Sequence, residues 1–293
     1  MSAALGPSGQ GVDLAGRFAA ARYTRLTPRL GCELDDVDLS IPLEVAEAAS
    51  LRGLFDAHGV LVVRDQRLDR EAHKALGRVF GELHTHPSRE HTRGDRHIFK
   101  VAADADTPFN NGGSWHSDLS CSPQPPLASL LLLRELPPSG GGDTLFADMC
   151  GIFESLSPAL QAWLRTLSAF HDGRKDLRQY GIELDPGADY PSAVHPVVVR
   201  HSSSGRPLLL VNGSFTERIV ELGREESDAL LRFLCRRISA AQAFQCRVRW
   251  QPGTLVIWDN RRTQHLALWD YYPETRRGER VSVRDPRVPI AAD

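Results

Sequence analysis

In the segment WHSDLS an imidazole and a carboxylate, His116 and Asp118, stand two residues apart. In an extended chain such residues project from the same face, so both side chains could reach one metal ion. An H-x-D pair by itself does not separate a metal site from a solvated loop pair, and a third ligand is needed. His265, in VIWDNRRTQHLALWDYY, follows an apolar strand and a turn and offers a second imidazole. Two imidazoles and one carboxylate cover one face of an octahedron and leave three positions open, the donor set of non-haem iron(II) oxygenases. Open positions of that kind suit a bidentate oxoacid and dioxygen. The competing reading of His265 is a hydrogen-bonded core histidine packed between Trp258 and Trp269.

Arg276 and Arg280 follow His265 by eleven and fifteen residues, within PETRRGERVSV. A guanidinium stays charged at any working pH and grips a carboxylate with two parallel hydrogen bonds, so an arginine on a strand beside the metal could hold the remote carboxylate of a dicarboxylic cosubstrate. The competing reading of TRRGER is a basic surface turn. Two other classes share the donor set: a zinc hydrolase, since His/Asp/His also holds zinc with an open position, and a non-catalytic binding module of jelly-roll form. Neither accounts for an arginine at this spacing.

To bring these groups together the fold must return distant segments to one place. Short apolar runs supply strands: HIFKVAA, LASLLLLREL, DTLFADM, AVHPVVVRH, RPLLLVNG, QCRVRWQ, GTLVIWDN and RVSVRD, several bounded by Pro or Gly. Another strand-like start lies around Tyr23–Leu26. EVAEAASLRGLFDAHG reads as an amphipathic helix stopped at Gly59, GVLVVRDQ as a buried strand, and REAHKALGRVFGEL as a second helix. Further helical patterns occur in FESLSPALQAWLRTL and EESDALLRFLCRRI. The predicted class is α+β, mainly β, a sandwich or jelly roll with flanking helices. The polar stretch HTHPSREHTRGDRH and the segment from Gly173 to Pro186 read as loops able to close over a bound molecule.

The chain has 293 residues, 41% hydrophobic and 25% charged, consistent with one decorated domain over 1–293 whose first 20 or so Gly-, Ala- and Ser-rich residues form a loosely held tail. A net charge of −2 argues against nucleic acid as a partner. Five cysteines, an odd number with no CxxC pair, fit a reducing, cytoplasmic setting. No window approaches the roughly 18 apolar residues of a membrane span.

The chain resembles the taurine dioxygenase and 2,4-dichlorophenoxyacetate dioxygenase family of iron(II)/2-oxoglutarate enzymes, and within it the taurine branch. The resemblance runs from Leu39 to the C-terminus through FGELHTHP, WHSD, ELPPSGGGDTLF, HPVVVRH, VNGSFTERIVEL, EESDALLRFL, RVRWQPG and WDNRRTQH, in that order. It implies a double-stranded β-helix (jelly roll, cupin-like) core, and His116, Asp118 and His265 as ligands of Fe(II). It implies that Thr144 and Arg276 hold the distal carboxylate of 2-oxoglutarate, and that His86 and Arg280 face an anionic substrate with Phe215 in its pocket. Dioxygen would be consumed, succinate and carbon dioxide released, and the substrate hydroxylated; for a sulfonate such as taurine the products are an aldehyde and sulfite, in the service of sulfur metabolism. Alkyl sulfates and aryloxy acids are the alternative substrates. Relatives form dimers and tetramers, so a homo-oligomer is implied. Two positions depart from the taurine pattern: Arg89 and Gly173 stand where taurine enzymes carry aromatic residues, which implies a differently shaped and more cationic pocket. Asp118 separates the chain from halogenases of this scaffold, which lack the carboxylate.

Overall fold

The runs VLVV, ASLLLL and LVIW carry no polar alternation because the sheet they form is covered on both faces. In the computed structural model, which describes residues 11–87 and 94–292, they belong to a seven-stranded sheet. Its order is Arg22–Arg25, Cys32–Asp35, Val60–Val63, Leu255–Asp259, Ala128–Glu135, Arg276–Val283 and Phe99–Ala103. All neighbours are antiparallel except Cys32–Asp35 with Val60–Val63. Leu61, Val63, Leu130, Leu132, Leu255 and Ile257 point to one face, where they meet Leu51, Leu54 and Phe55 of the helix Val45–His58 and Leu76 of the helix Arg70–Arg78. Their alternates Val60, Val62, Leu131, Leu133, Val256 and Trp258 point to the other face, against Phe146, Cys246, Val248 and Trp250.

That second partner is a three-stranded sheet in the order Gln245–Val248, Thr144–Asp148, Thr263–Ala267. The result is three layers: helices, large sheet, small sheet. A further sheet (Thr216–Ile219, Ser168–Asp172, Ser192–Pro196) and a two-stranded ribbon (Pro207–Leu209, Val198–Arg200) surround a separate apolar cluster with the helices Met149–Glu154 and Arg224–Ala240. The architecture is mixed and mainly β, as predicted. Among the described residues no helix is long and apolar enough to cross a membrane.

Several boundaries differ from the sequence reading. The strand read in RVSVRD begins earlier: Arg276–Val283 is one continuous strand, so the competing reading of TRRGER as a surface turn fails and Arg276 lies on a strand as expected. AVHPVVVRH breaks at Val197 into strands of two different sheets. FESLSPALQAWLRTL is two helices, Met149–Glu154 and Pro158–Leu164, with Pro158 opening the second as its fixed φ allows. Gly173–Gln179, read as a loop, is a helix capped by Asp172.

The opening segment is also not loose where it is described. Phe18 is fully buried in the helix-side cluster, and Arg17 forms an ion pair with Glu47 at 3.0 Å. Average composition hid one aromatic anchor. Phe18→Ala is expected to lower unfolding stability by about 3–5 kcal/mol, the usual cost of emptying a buried phenyl site, as a denaturant melt would record. A change near zero would return the segment to the status of a tail.

Candidate metal centre

His116 and His265 face each other across a single antiparallel bridge, with His116 N donating to His265 O at 3.1 Å and His265 N to His116 O at 2.8 Å. His265 lies within the strand Thr263–Ala267 of the small sheet. His116 is in no regular strand, and the chain turns immediately after it, with Leu119 at φ 48°. The extended-strand argument for His116 and Asp118 therefore describes one bridged residue rather than a strand. What places Asp118 is Asn260: its Oδ1 accepts from Asp118 N at 2.7 Å, and its Nδ2 donates to the carbonyls of Asp118 and Pro126.

The three side chains converge, each offering one donor atom with all such atoms within 4.8 Å of one another. His116 and His265 direct Nε2 toward Asp118 Oδ1, at 3.8 and 3.9 Å. His116 Nδ1 lies 2.8 Å from the Ser114 carbonyl, an acceptor, so its proton sits there and the Nε2 lone pair is left for a metal. Ser129 Oγ donates to Asp118 Oδ2 at 2.9 Å, leaving Oδ1 as the inward oxygen. Burial, then the neighbouring His116, hold the pKa of His265 far below its usual value, which keeps it a neutral ligand. For Asp118, burial would push the carboxyl up, but Arg280, His265, His116 and the Ser129 hydroxyl outweigh it and hold the group well below the usual carboxylate range. A buried His/Asp/His set with one inward donor atom each, Asp118 Oδ1 also accepting from Arg280, fits a divalent first-row metal.

The competing reading of His265 as a histidine between two tryptophans holds for one of them. Trp258 lies 5.0 Å from its ring, whereas Trp269 packs on Tyr272. His265 Nδ1 is buried with no hydrogen-bond partner among the described residues.

Beside the triad, Arg276 Nε donates to the Gly142 carbonyl at 3.0 Å, and its guanidinium lies 5.5 Å from the ring centre of Trp250. Trp250 Nε1 donates in turn to Thr144 Oγ1 at 3.0 Å, so one indole connects the two residues expected to share a carboxylate. Sequence reading missed Trp250, although it stands inside RVRWQPG. Arg276 is 5% exposed and forms no ion pair among the described residues, and burial pulls its pKa down. A buried, uncompensated guanidinium costs several kcal/mol, so a site that retains one is built for an anion. Close approach depends on Gly142: at φ +69° its added Cβ would lie 2.9 Å from Arg276 Cδ. Gly142→Ala is expected to displace Arg276 and weaken 2-oxoglutarate binding by about tenfold or more, a cost of at least ~1.4 kcal/mol, measurable by anaerobic calorimetry. Unchanged affinity would show that the turn does not position the arginine.

Arg276 and Arg280 are four apart on one strand and so share its inner face. Between them Gly278 has no room for a side chain, since a Cβ would overlap the Leu132 carbonyl. Arg280 lies over the ring of Phe99 at 4.6 Å, and His86 meets the same ring at 4.5 Å. The structure thus brings together the two residues expected at the substrate, through an aromatic that sequence reading did not single out. Arg280 Nη1 also donates to Asp118 Oδ1 at 2.7 Å, placing this cation against the inward oxygen of the triad's carboxylate. His84 belongs to the same neighbourhood and was also missed: burial and then Arg280 push its pKa down to about 4. Phe215 is buried, its N–H held by Asn212 Oδ1 at 2.8 Å. Asn212 Nδ2 reaches Ser120, two residues beyond Asp118, and Ser120 meets His171, whose pKa burial and then His195 push down to about 3. Arg89 lies outside the described residues. At Gly173 an added Cβ would lie 3.2 Å from the Pro191 carbonyl, so Pro191 occupies the direction in which a side chain would extend.

A triad of this composition, an anion-seeking arginine beside it and a two-sheet framework define a 2-oxoglutarate-dependent dioxygenase, and the relatives agree. The profile described as "Taurine catabolism dioxygenase TauD, TfdA family" matches residues 22–282. The chain is 35% identical over 273 residues to "Alpha-ketoglutarate-dependent dioxygenase cnsM" of Penicillium expansum, covering 88% of this chain and 76% of that protein. It is 36% identical over 265 residues to "Alpha-ketoglutarate-dependent sulfonate dioxygenase" of Saccharomyces cerevisiae, covering 85% of this chain and 63% of that protein. The crystal structure of a putative alpha-ketoglutarate-dependent taurine dioxygenase from Burkholderia xenovorans superimposes with a TM-score of 0.79 at 30% identity, covering 92% of this chain and 91% of that one. The chain belongs to the TauD, TfdA family and is a 2-oxoglutarate-dependent dioxygenase.

Proposed function

We propose that this enzyme hydroxylates a small anionic molecule, a sulfonate in first place, with His116, Asp118 and His265 holding Fe(II) and Thr144 and Arg276 holding the distal carboxylate of 2-oxoglutarate. The framework is read as a double-stranded β-helix, the small sheet packed on the large one, with His265 on the small sheet and Asp118 against Ser129 and Arg280 of the large one. The observation that carries the reading is the buried Arg276 without an anionic partner, tied through Trp250 to Thr144 and set on the same strand face as Arg280.

Iron(II) bound at the triad supplies dioxygen activation coupled to decarboxylation of 2-oxoglutarate into succinate and carbon dioxide. The protein orients and shields. Arg276 fixes one end of the cosubstrate, and Thr144 Oγ1, already accepting from Trp250, keeps its own hydroxyl proton for a carboxylate oxygen. Arg280 and His86, gathered on Phe99, receive the head group of the substrate, and Phe215 packs against its apolar part. Hydroxylation of the carbon bearing a sulfonate yields an unstable adduct that separates into an aldehyde and sulfite. The sulfonate activity named for the yeast relative supports this order of preference. Alkyl sulfates and aryloxy acids are the alternatives, since the same cation would bind them.

Two measurements test the reading. Anaerobic addition of Fe(II) and 2-oxoglutarate should produce a weak metal-to-ligand charge-transfer band; its absence in folded protein would falsify the iron assignment, and activity independent of 2-oxoglutarate would favour a zinc hydrolase. Succinate formation with a panel of anions, followed by assay for sulfite and for sulfate, identifies the substrate class. Sulfate release from alkyl sulfates in place of sulfite from sulfonates would move the assignment to the alternative.

A further inference from the structure

Between the strand that carries His265 and the helix Gly173–Gln179 runs the segment NNGGS, residues 110–114, which leads into His116. On its inner side the segment is bonded to that strand: Asn110 Nδ2 donates to the Ala267 carbonyl at 2.7 Å, and Ala267 N donates to the Gly112 carbonyl at 2.9 Å. Gly112 lies against the edge of the His116 ring. At φ +87° its added Cβ would stand 3.3 Å from His116 Cε1 and 3.9 Å from Nε2, the nitrogen left for the metal. A shift of this segment is therefore felt at the ligand.

On its outer side the segment is held by the last residue of the helix and the one that follows. Tyr180 Oη accepts from Gly112 N at 3.0 Å, and its ring stacks on Phe109 at 4.8 Å. Gln179 Oε1 accepts from Ser114 Oγ at 3.0 Å and its Nε2 donates to Ser214 Oγ at 3.2 Å, while the two hydroxyls lie 2.9 Å apart, so the three side chains form a closed cluster. Ser114 is also the residue whose carbonyl faces His116 Nδ1 at 2.8 Å and sets the tautomer of the ring. The bonds to Ala267 end at Gly112, and the Ser114 side chain is held from the outer side.

We propose that Gln179 and Tyr180 are positioning residues of the metal centre: docked on residues 110–114, they hold Gly112 and Ser114 against His116, so that docking of the segment Gly173–Tyr180 and metal binding strengthen each other. The proposal rests on the reading that His116, Asp118 and His265 hold the metal. Both residues act through the segment and not on the metal itself. The coupling is reciprocal: whatever affinity docking lends to the metal, the bound metal returns to docking.

Calorimetry with Mn(II), without cosubstrate or turnover, reads the metal side. Tyr180→Phe keeps the stack on Phe109 and removes the oxygen that Gly112 N bonds, and Gln179→Leu removes both polar atoms from the cluster with Ser114 and Ser214. Each is expected to weaken Mn(II) binding by about three- to tenfold, and the two together by about tenfold or more, the lower end of the range for lost outer-shell partners. Arg178→Ala removes an exposed side chain of the same helix and should leave the affinity at the wild-type value. An equal loss in that control would assign the effect to the helix as a whole and overturn the proposal, as would a double variant within about twofold of wild type. Amide exchange of the wild-type protein reads the other side and needs no variant: Mn(II) should slow exchange over residues 173–180 and 110–116 by a larger factor than over the helix Arg224–Ala240. Equal slowing, or none, overturns the proposal even where the variants fail to fold. Asp118→Asn separates the two readings. If it weakens Mn(II) binding while Tyr180→Phe and Gln179→Leu leave it intact, the metal assignment stands and the positioning role falls; if the wild-type protein binds no Mn(II), both fall.

Discussion

Arg276→Gln is expected to raise the KM for 2-oxoglutarate by roughly 30- to 3000-fold. Gln keeps polarity and much of the length but loses the charge and the fork. Truncating one partner of a desolvated charge pair costs about 2–5 kcal/mol, and each 1.4 kcal/mol is tenfold. The side chain is 5% exposed and held by Trp250 and the Gly142 carbonyl, so water will not replace what is lost. Arg276→Lys should fall between, because an ammonium keeps the charge without bidentate geometry. Thermal stability gives the opposite sign for a structural role. Removing an uncompensated buried guanidinium should leave the cosubstrate-free protein as stable or more so, while a residue that only braces the strand would lower its melting temperature. A KM within threefold of wild type would exclude Arg276 from the cosubstrate site.

Asp118→Asn is expected to lower divalent-metal affinity by more than about a hundredfold, beyond the 10–100-fold typical of outer-shell losses, and to abolish coupled succinate formation. Asn is near-isosteric and neutral, so it removes the charge that balances a dication. It also leaves Arg280, which donates to Asp118 Oδ1, facing the imidazoles without an anion between them. Calorimetry with Mn(II) reads the metal term without turnover. The backbone of this turn is held by Asn260 through main-chain bonds that the substitution leaves in place, so the loss should appear in affinity more than in folding. Metal affinity unchanged by Asp118→Asn would remove the carboxylate from the ligand set.

The parts of the site legible in the sequence were those defined by residue type at short range. His116 and Asp118 are two apart and His265 follows an apolar strand, so donor chemistry could be read before any fold was known. Thr144, Phe215, His86 and Arg280 came from resemblance, because nothing in a turn threonine or a loop histidine distinguishes it locally. The fold was legible where apolar runs were continuous, in VLVV, ASLLLL and LVIW, since double-sided burial leaves a compositional mark. It was less legible at Gly173–Gln179, a helix whose polar composition imitates a surface loop.

By itself the sequence determined the donor set, the mainly β class and, through ordered family segments, the dioxygenase chemistry, because these follow from residue type, periodicity and order along the chain. Only the tertiary structure decided which partners complete the site. Asn260 sets the turn at Asp118, Trp250 joins Thr144 to Arg276, Phe99 gathers His86 with Arg280, and Gln179 and Tyr180 dock on the loop that leads to His116. Most are contacts between residues dozens to more than a hundred positions apart, created by sheet register and packing, and such contacts leave no local pattern to read. The triad was therefore visible as chemistry, and the partners around it became visible only as geometry.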